Sequence, residues 1–133
     1  MNGFKDDVLS ILRDNVFLHK EALGLVVFGN EIPEARELLE DLEERKFPVA
    51  GKTEKLVVLF DYIVLHRDAV NLPSMLQAIN DLSNGGIIIL DVSDEPENYE
   101  NSYISHFGNF SISKVKYDTR AYLILHPGVD YAN

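Results

Sequence analysis

The hydrophobic and polar positions of this chain change period several times, and each change predicts a new element. Apolar residues recur at helical spacing over Phe4–Phe17, and acids lie opposite an apolar stripe over Glu34–Lys46. Between these helices, Gly24–Gly29 is short, apolar and bounded by glycines, which is typical of a strand buried on both faces. Pro33 suits the first turn of the second helix, where a missing N–H costs nothing. Strand, turn and helix in this order begin a βαβ unit.

The alternation of strands and helices continues beyond this unit. Phe47–Gly51 is a weak strand, and Pro48 places it at a sheet edge because proline cannot donate to a ladder. Asp61–His66 and Ile87–Leu90 are apolar enough to be buried strands. Asn71 caps the helix between them, and the glycines after it stop that helix near residues 84–86. The buried stripe expected on this helix is Leu72, Met75, Leu76, Ile79 and Leu82.

The remaining residues predict a loop, a helix and a hairpin. Asp91–Pro96 reads as a solvated acidic loop, and aromatic residues at four-residue steps indicate a helix over Glu97–Gly108. Phe110–Tyr117 and Ala121–His126 form a hairpin, with a bulge near residues 113–114 where the apolar parity slips. The tail from residue 127 onward is expected to be loose.

These elements predict an α/β fold, a three-layer αβα sandwich around a mostly parallel sheet that ends in an antiparallel hairpin. The length of 133 residues indicates one domain over residues 1–133, and 46% hydrophobic with 26% charged residues are ordinary globular values. No apolar run approaches the ~20 residues of a membrane span, the N-terminus lacks the pattern of a secretory signal, and cysteine is absent. We expect a soluble, cytoplasmic protein.

The net charge of the chain limits the classes of partner that it can bind. The chain has 22 acidic and 12 basic residues, a net charge of −10, and no basic stripe. Because phosphate neutralisation dominates nucleic-acid affinity, we expect neither nucleic acid nor an anionic membrane surface as a partner. We expect instead a protein partner or self-association, the latter as a homodimer through an exposed apolar helix or the terminal hairpin.

From Phe60 onward the chain resembles the second half of the class I S-adenosylmethionine-dependent methyltransferases. The resemblance rests on a strand beginning Phe-Asp-x-Ile at Phe60–Leu65, a helix with Leu72–Leu76, and a glycine pair before an aliphatic strand within Leu82–Ile89. The hairpin that closes the chain matches the family's antiparallel ending. The resemblance implies a Rossmann-like methyltransferase fold, with S-adenosylmethionine as the possible cofactor and methyl transfer as the possible activity.

The first half departs from the family at the turn where the backbone approaches the cofactor. Only Gly29 remains in the segment Phe28–Pro33, where the family has several glycines. This predicts a domain that has lost its cofactor and acts as a non-catalytic partner-binding or regulatory protein. The alternative is a divergent methyltransferase that holds the cofactor with Gly29, Asn30, Glu31 and His66. In a second alignment, Gly24–Phe28 is the family's second strand and Glu31 its ribose-binding acid.

His66, Arg67 and Asp68 follow a predicted strand directly, where open α/β sheets bind ligands. They are expected near Gly29 and the acidic loop that begins at Asp91. The alternative is a surface histidine beside a local Arg67–Asp68 pair. No two histidines have the spacing of zinc ligands, so no metal site is predicted, and no residue is assigned as catalytic. A sensor of another small molecule would use the same position.

Overall fold

The computed structural model describes residues 3–29, 33–51, 58–93 and 110–127. Its helices are α1 (Phe4–Asp14), α2 (Pro33–Glu44) and α3 (Leu72–Asp81), with a short 3-10 turn at Arg67–Ala69. Its strands are β1 (Gly24–Val27), β2 (Val49–Gly51), β3 (Phe60–Leu65), β4 (Leu82–Asp91), β5 (Phe110–Tyr117) and β6 (Arg120–Pro127).

The six strands form one mixed sheet in the order β2-β1-β3-β4-β6-β5. The pairs β2–β1, β1–β3 and β3–β4 are parallel, whereas β6 pairs antiparallel with both β4 and β5. β1 is an interior strand that lies between β2 and β3. The predicted sheet, with a parallel part and an antiparallel hairpin, is confirmed.

Helices cover both faces of the sheet, which confirms the predicted three layers. The apolar stripes of α1 and α2 pack on one face, against a core that includes Val26, Val64 and Ile89. Met75 and Ala78 of α3 pack on the other face. The alternating strand residues therefore bury two separate apolar clusters, as expected for a sheet covered on both sides.

The helix ends have standard capping hydrogen bonds, but two of them place a residue other than glycine in the left-handed conformation. Asn71 caps α3 as predicted, because its side-chain oxygen accepts a hydrogen bond from the Ser74 N–H at 2.9 Å. α1 closes with the two backbone hydrogen bonds of a Schellman motif, donated by Val16 and Phe17. The left-handed position of that motif, usually glycine, is Val16 with φ of 66°. α2 ends the same way, with Lys46 at φ of 62°.

Two predictions about α3 are wrong. Leu76 is 48% exposed, so it does not belong to the buried stripe, which consists of Met75 and Ala78. The helix also ends at Asp81, before the glycines, and residues 82–86 already belong to β4, with Leu82 opposite Phe60. The sequence of a short, charge-poor helix does not show which of its apolar residues faces the sheet.

The second glycine of the pair, Gly86, instead serves strand packing at the amino edge of the sheet. A side chain on Gly86 would place its Cβ 2.6 Å from the backbone oxygen of Asp61. The Asp61 carboxylate accepts hydrogen bonds from the Leu23 N–H at 2.8 Å and the Ser83 hydroxyl at 2.9 Å. Gly24 leaves room for the Tyr62 ring, which would lie 2.0 Å from an added Cβ. The Phe-Asp-x-Ile and Gly-Gly residues of the resemblance are thus structural.

The predicted bulge in the hairpin is wrong. β5 and β6 pair without interruption from Phe110 opposite Pro127 to Tyr117 opposite Arg120. The apparent slip in parity arises because Ile112 and Val115 lie on opposite faces of a regular strand.

Two predictions fall outside the described residues. These are the helix over Glu97–Gly108 and the tail after residue 127. Within the ranges that the structure describes, no helix has the length and apolar character needed to cross a membrane.

Candidate functional site

Charged side chains converge at the carboxyl edge of the sheet, where β1, β3 and β4 end. Glu34 comes from the first turn of α2, a position that favours negative charge because of the helix dipole. His66, Arg67 and Asp68 follow β3, and Asp91 is the last residue of β4. We call this set of five residues the carboxyl-edge cluster.

His66 is buried at the centre of this cluster and is 2% exposed. Its Nδ1 lies 2.8 Å from Asp68 Oδ1, and its Nε2 lies 3.1 Å from Glu34 Oε2. Its ring also meets that of Phe4 edge-on, with the centroids 4.9 Å apart. The interpretation of His66 as a surface histidine is therefore wrong, because the residue is enclosed by two carboxylates and an aromatic ring.

Arg67 joins two elements that are far apart in sequence. Its guanidinium donates hydrogen bonds to both Glu34 carboxylate oxygens, at 3.1 and 3.3 Å, and to Asp91 Oδ2 at 3.3 Å. The predicted local pair with Asp68 is replaced by this bridge between α2 and β4. Burial raises the pKa of Glu34, but the hydrogen bonds from Arg67 and His66 outweigh it and hold the pKa below its ordinary value.

Asp91 is a buried acid, not the start of a solvated loop. It is 1% exposed, and its Oδ1 accepts hydrogen bonds from the Ser93 hydroxyl at 2.6 Å and the Ser93 N–H at 3.0 Å. The Arg67 guanidinium donates a hydrogen bond to the other oxygen, Asp91 Oδ2. Both carboxylate oxygens therefore have charged or polar donors, which is the condition under which a buried charge is tolerated.

Asp68 connects the two described members of the predicted cofactor set. The Gly29 N–H donates to Asp68 Oδ2 at 3.0 Å, while Oδ1 of the same carboxylate faces His66. A Cβ added at Gly29 would lie 2.7 Å from Asp68 Oδ2. The structure thus brings Gly29 and His66 together through Asp68. Asn30 and Glu31 lie outside the described residues.

A separate buried polar group ties α1 to the hairpin. Asp7 is 3% exposed, and it accepts hydrogen bonds from the Tyr122 hydroxyl at 2.7 Å and from the Arg120 guanidinium. Burial, and then the contact with Asp7, raises the pKa of Tyr122. The group fixes the hairpin against the first helix, and sequence patterns did not indicate it because Asp7 read as a first-turn acid.

At Gly29, the described residue of the turn after β1, the backbone N–H donates to Asp68 Oδ2 at 3.0 Å, and an added Cβ would lie 2.7 Å from the same oxygen. In this arrangement S-adenosylmethionine reaches the Gly29 N–H only if Asp68 moves away. In the part of the chain that the structure describes, no three His, Asp or Glu side chains are arranged to hold a metal ion. The cluster mainly joins elements to one another.

Comparison with known proteins identifies the fold. The chain is similar to a methyltransferase from Pyrococcus furiosus, with a TM-score of 0.59 and 15% identity over 94% of this chain and 83% of that one. It is also similar to the precorrin-6y C5,15-methyltransferase from Geobacter metallireducens, with a TM-score of 0.58 and 12% identity over 91% and 87% of the two chains. Cofactor-bound Rv0187 from MTB gives a TM-score of 0.60 and 10% identity over 96% and 82%.

No protein-family model and no curated protein matches the sequence. The structural neighbours nevertheless show that the chain has a divergent form of the Rossmann-like fold of class I S-adenosylmethionine-dependent methyltransferases. At these identities the likeness establishes the fold alone.

Proposed function

We propose that this chain, which has the class I methyltransferase fold, is a non-catalytic domain that acts by binding a protein partner. The observation that carries the proposal is the Asp68 carboxylate, which bonds the Gly29 N–H and contacts His66 where a cofactor would lie. The net charge of −10 favours a protein as the partner and disfavours nucleic acid.

The energetic argument concerns what a cofactor must displace. S-adenosylmethionine at the Gly29 turn would have to break two contacts of Asp68, those to Gly29 and His66. Hydrogen bonds that involve a charged group are worth about 1.5–3 kcal/mol each, so the displacement costs about 3–6 kcal/mol. At 1.4 kcal/mol per tenfold, this lowers cofactor affinity by about two to four powers of ten.

A divergent methyltransferase is the competing function. The methyltransferases among the structural neighbours, and the cofactor in one of them, support it. It requires Asp68 to leave Gly29 so that Gly29, Glu31 and His66 can face the cofactor. A sensor for another small molecule would require the same movement of Asp68.

Isothermal titration with S-adenosylmethionine and S-adenosylhomocysteine tests the proposal. We expect no saturable heat from the wild-type protein below about 1 mM, in line with the displacement cost given above. Asp68→Ala removes the carboxylate and should bind S-adenosylhomocysteine more tightly than wild type does. Asp14→Ala, which removes an exposed carboxylate on α1, is the matched control.

Two results would contradict this account. Micromolar binding by the wild-type protein would establish an open cofactor site and favour the methyltransferase alternative. Affinity in Asp68→Ala no higher than in wild type would show that Asp68 is not what blocks the turn.

A further inference from the structure

β4 contains a wide bulge near its start. Leu82 lies opposite Phe60, and the next pair in the register joins Ile87 to Tyr62. Four residues of β4 therefore lie opposite a single residue of β3, and we call these residues, 83–86, the β4 bulge. In the described part of the chain, the pairing of β4 with β6 also begins only after this bulge. The four residues thus lie outside the regular ladder on both sides of the strand.

The ends of the β4 bulge are anchored, whereas its middle is exposed to water. The Ser83 hydroxyl donates a hydrogen bond to Asp61 Oδ1 at 2.9 Å, and Gly86 packs closely against the Asp61 backbone oxygen. Between these two anchors, Asn84 and Gly85 are both exposed. A Cβ added at Gly85 would meet nothing within 4 Å in the described structure apart from its chain neighbours. Water therefore reaches the peptide bond between these two residues.

The side-chain amide of Asn84 makes no hydrogen bond within the part of the chain that the structure describes. Two other asparagines differ in this respect. Asn15 Nδ2 donates to the Ile11 carbonyl oxygen at 2.8 Å, and Asn71 Oδ1 accepts from the Ser74 N–H at 2.9 Å. An exposed side chain without such bonds changes rotamer rapidly, so the Asn84 amide carbon can approach the backbone that follows it.

The residue that follows Asn84 leaves this approach open. Gly85 has φ of 82°, a conformation that glycine adopts readily, and it has no side chain to shield its backbone nitrogen. A bond between this nitrogen and Asn84 Cγ would close a five-membered ring within the chain. Reacting groups that are linked in this way behave as if present at very high concentration. The exposed bulge thus brings an amide carbon and a nitrogen nucleophile together.

We propose that Asn84 is a site of spontaneous modification, at which the chain converts its own side-chain amide into a carboxylate. The Gly85 nitrogen gives its proton to hydroxide and bonds to Asn84 Cγ, and the side-chain nitrogen takes a proton from water and leaves as ammonia. Water then opens the cyclic imide at one of its two carbonyl carbons. One opening gives aspartate, and the other gives isoaspartate, whose backbone runs through the former side chain. Water is the only co-reactant, and no electrons are transferred.

The position of Asn84 allows the fold to accept this change. The bulge makes no regular ladder pair, so the additional backbone carbon of isoaspartate need not shift the pairs on either side of it. The reaction adds one negative charge to a chain of net charge −10. It takes place at the amino edge of the sheet, whereas the carboxyl-edge cluster lies at the opposite edge. Its test therefore gives the same answer whether or not S-adenosylmethionine binds near Gly29.

Incubation of the folded protein in H2¹⁸O, followed by peptide mapping with mass spectrometry, tests the proposal. Digestion in ordinary water ensures that only conversion during the incubation carries the heavy oxygen. We expect the peptide that contains Asn84 to gain one ¹⁸O and to separate into two products. The rate should exceed that at Asn71 at least about tenfold, because only Asn84 has an unhindered nitrogen within reach. It should also rise with pH, since the Gly85 nitrogen must lose its proton.

Two variants and a reference peptide show whether the described geometry controls the reaction. Asn84→Gln keeps an amide but needs a larger ring, so its peptide should gain no ¹⁸O. Asn80→Gln makes the same change at an exposed residue of α3 and should leave the rate at Asn84 unchanged. A synthetic peptide of residues 81–87 gives the rate without a fold. We expect the folded protein to react within about tenfold of this peptide, because an exposed bulge needs little opening free energy.

Four results would overturn the proposal. The first is a conversion at Asn84 no faster than that at Asn71, and the second is a rate that does not change with pH. The third is equal uptake of ¹⁸O in Asn84→Gln and Asn80→Gln at the peptide that contains position 84. The fourth is a rate in the folded protein more than about tenfold below that of the synthetic peptide, which would show that the bulge protects the amide.

Discussion

Replacing Arg67 with methionine removes the guanidinium that joins α2 to β4 and keeps a side chain of similar length. Its three hydrogen bonds to Glu34 and Asp91 are lost. The two carboxylates then differ in whether they can regain contact with water. The Glu34 side chain is 44% exposed and can return to water, whereas Asp91 is 1% exposed and cannot.

The expected cost follows from this difference. Removing one partner of a buried ion pair destabilises a protein by about 3–5 kcal/mol, because a charge stays buried without its partner. Asp91 keeps its two donors from Ser93, so the low end of that range, about 3 kcal/mol, applies here. With a urea slope of about 2 kcal/mol per M, the unfolding midpoint should fall by about 1.5 M.

Urea unfolding followed by circular dichroism measures this change, since the chain has no tryptophan to report by fluorescence. The double variant Arg67→Met with Asp91→Asn should recover more than half of the lost free energy, because the unpaired charge is gone. Glu34→Gln alone should cost less than about 1 kcal/mol, as for a partly exposed ion pair. A loss below about 1 kcal/mol in Arg67→Met, or no recovery in the double variant, would refute the reasoning.

The other predictions concern backbone strain, packing and pH. Val16→Gly should raise the free energy of unfolding by about 1 kcal/mol. The left-handed conformation costs an L-residue about 1–2 kcal/mol, whereas it costs glycine almost nothing. An unchanged or lower midpoint in urea unfolding would contradict this. Gly24→Ala should cost about 3 kcal/mol or more, since its methyl group would overlap the Tyr62 ring, and a midpoint near that of wild type would refute the packing argument. The lowered pKa of Glu34 means that its ionised form stabilises the fold above its unfolded pKa, and that this contribution is lost as the pH falls through its folded pKa. Glu34→Gln should therefore make stability less sensitive to acid between pH 5 and pH 3 than it is in wild type, as checked by urea unfolding at each pH, and an equal sensitivity would contradict the assignment.

The sheet was predictable because its central strands are short runs of apolar, mostly β-branched residues. Runs such as Ile87–Leu90 can only be buried on both faces, and the segments between them have helical spacing. The meeting of Gly29, His66 and Asp91 followed from the rule that parallel strands bring their carboxyl ends to one edge. That inference required no knowledge of individual contacts.

The contacts within the site were not predictable in the same way. Glu34 reads as one of many acids on α2, and nothing in the sequence sets it apart from its neighbours. Its role depends on the distance between the start of α2 and the end of β3, which only the folded chain defines. Arg67 was expected to pair with Asp68 because they are adjacent, yet the 3-10 turn directs its guanidinium to Glu34 and Asp91.

Errors in element boundaries have a common physical origin. Glycine is frequent just after helices, which favours a helix stop at Gly85 and Gly86, but Gly86 is required by the close approach of the Asp61 backbone. Ile112 and Val115 predict a bulge only if one face of β5 carries all its apolar residues, and in the structure both faces carry them. Both errors explain a residue by the local structure of its own segment, whereas contacts with other elements explain why that residue is there.

The central claim is that Asp68 occupies the Gly29 N–H, and the amide resonance of Gly29 tests it most directly. The measurement is a ¹H–¹⁵N correlation spectrum of the labelled protein during titration with S-adenosylhomocysteine. The account predicts that the Gly29 cross-peak stays in place through millimolar ligand and moves in Asp68→Ala without any ligand. A saturable shift of that cross-peak in the wild-type protein at micromolar ligand would contradict the account.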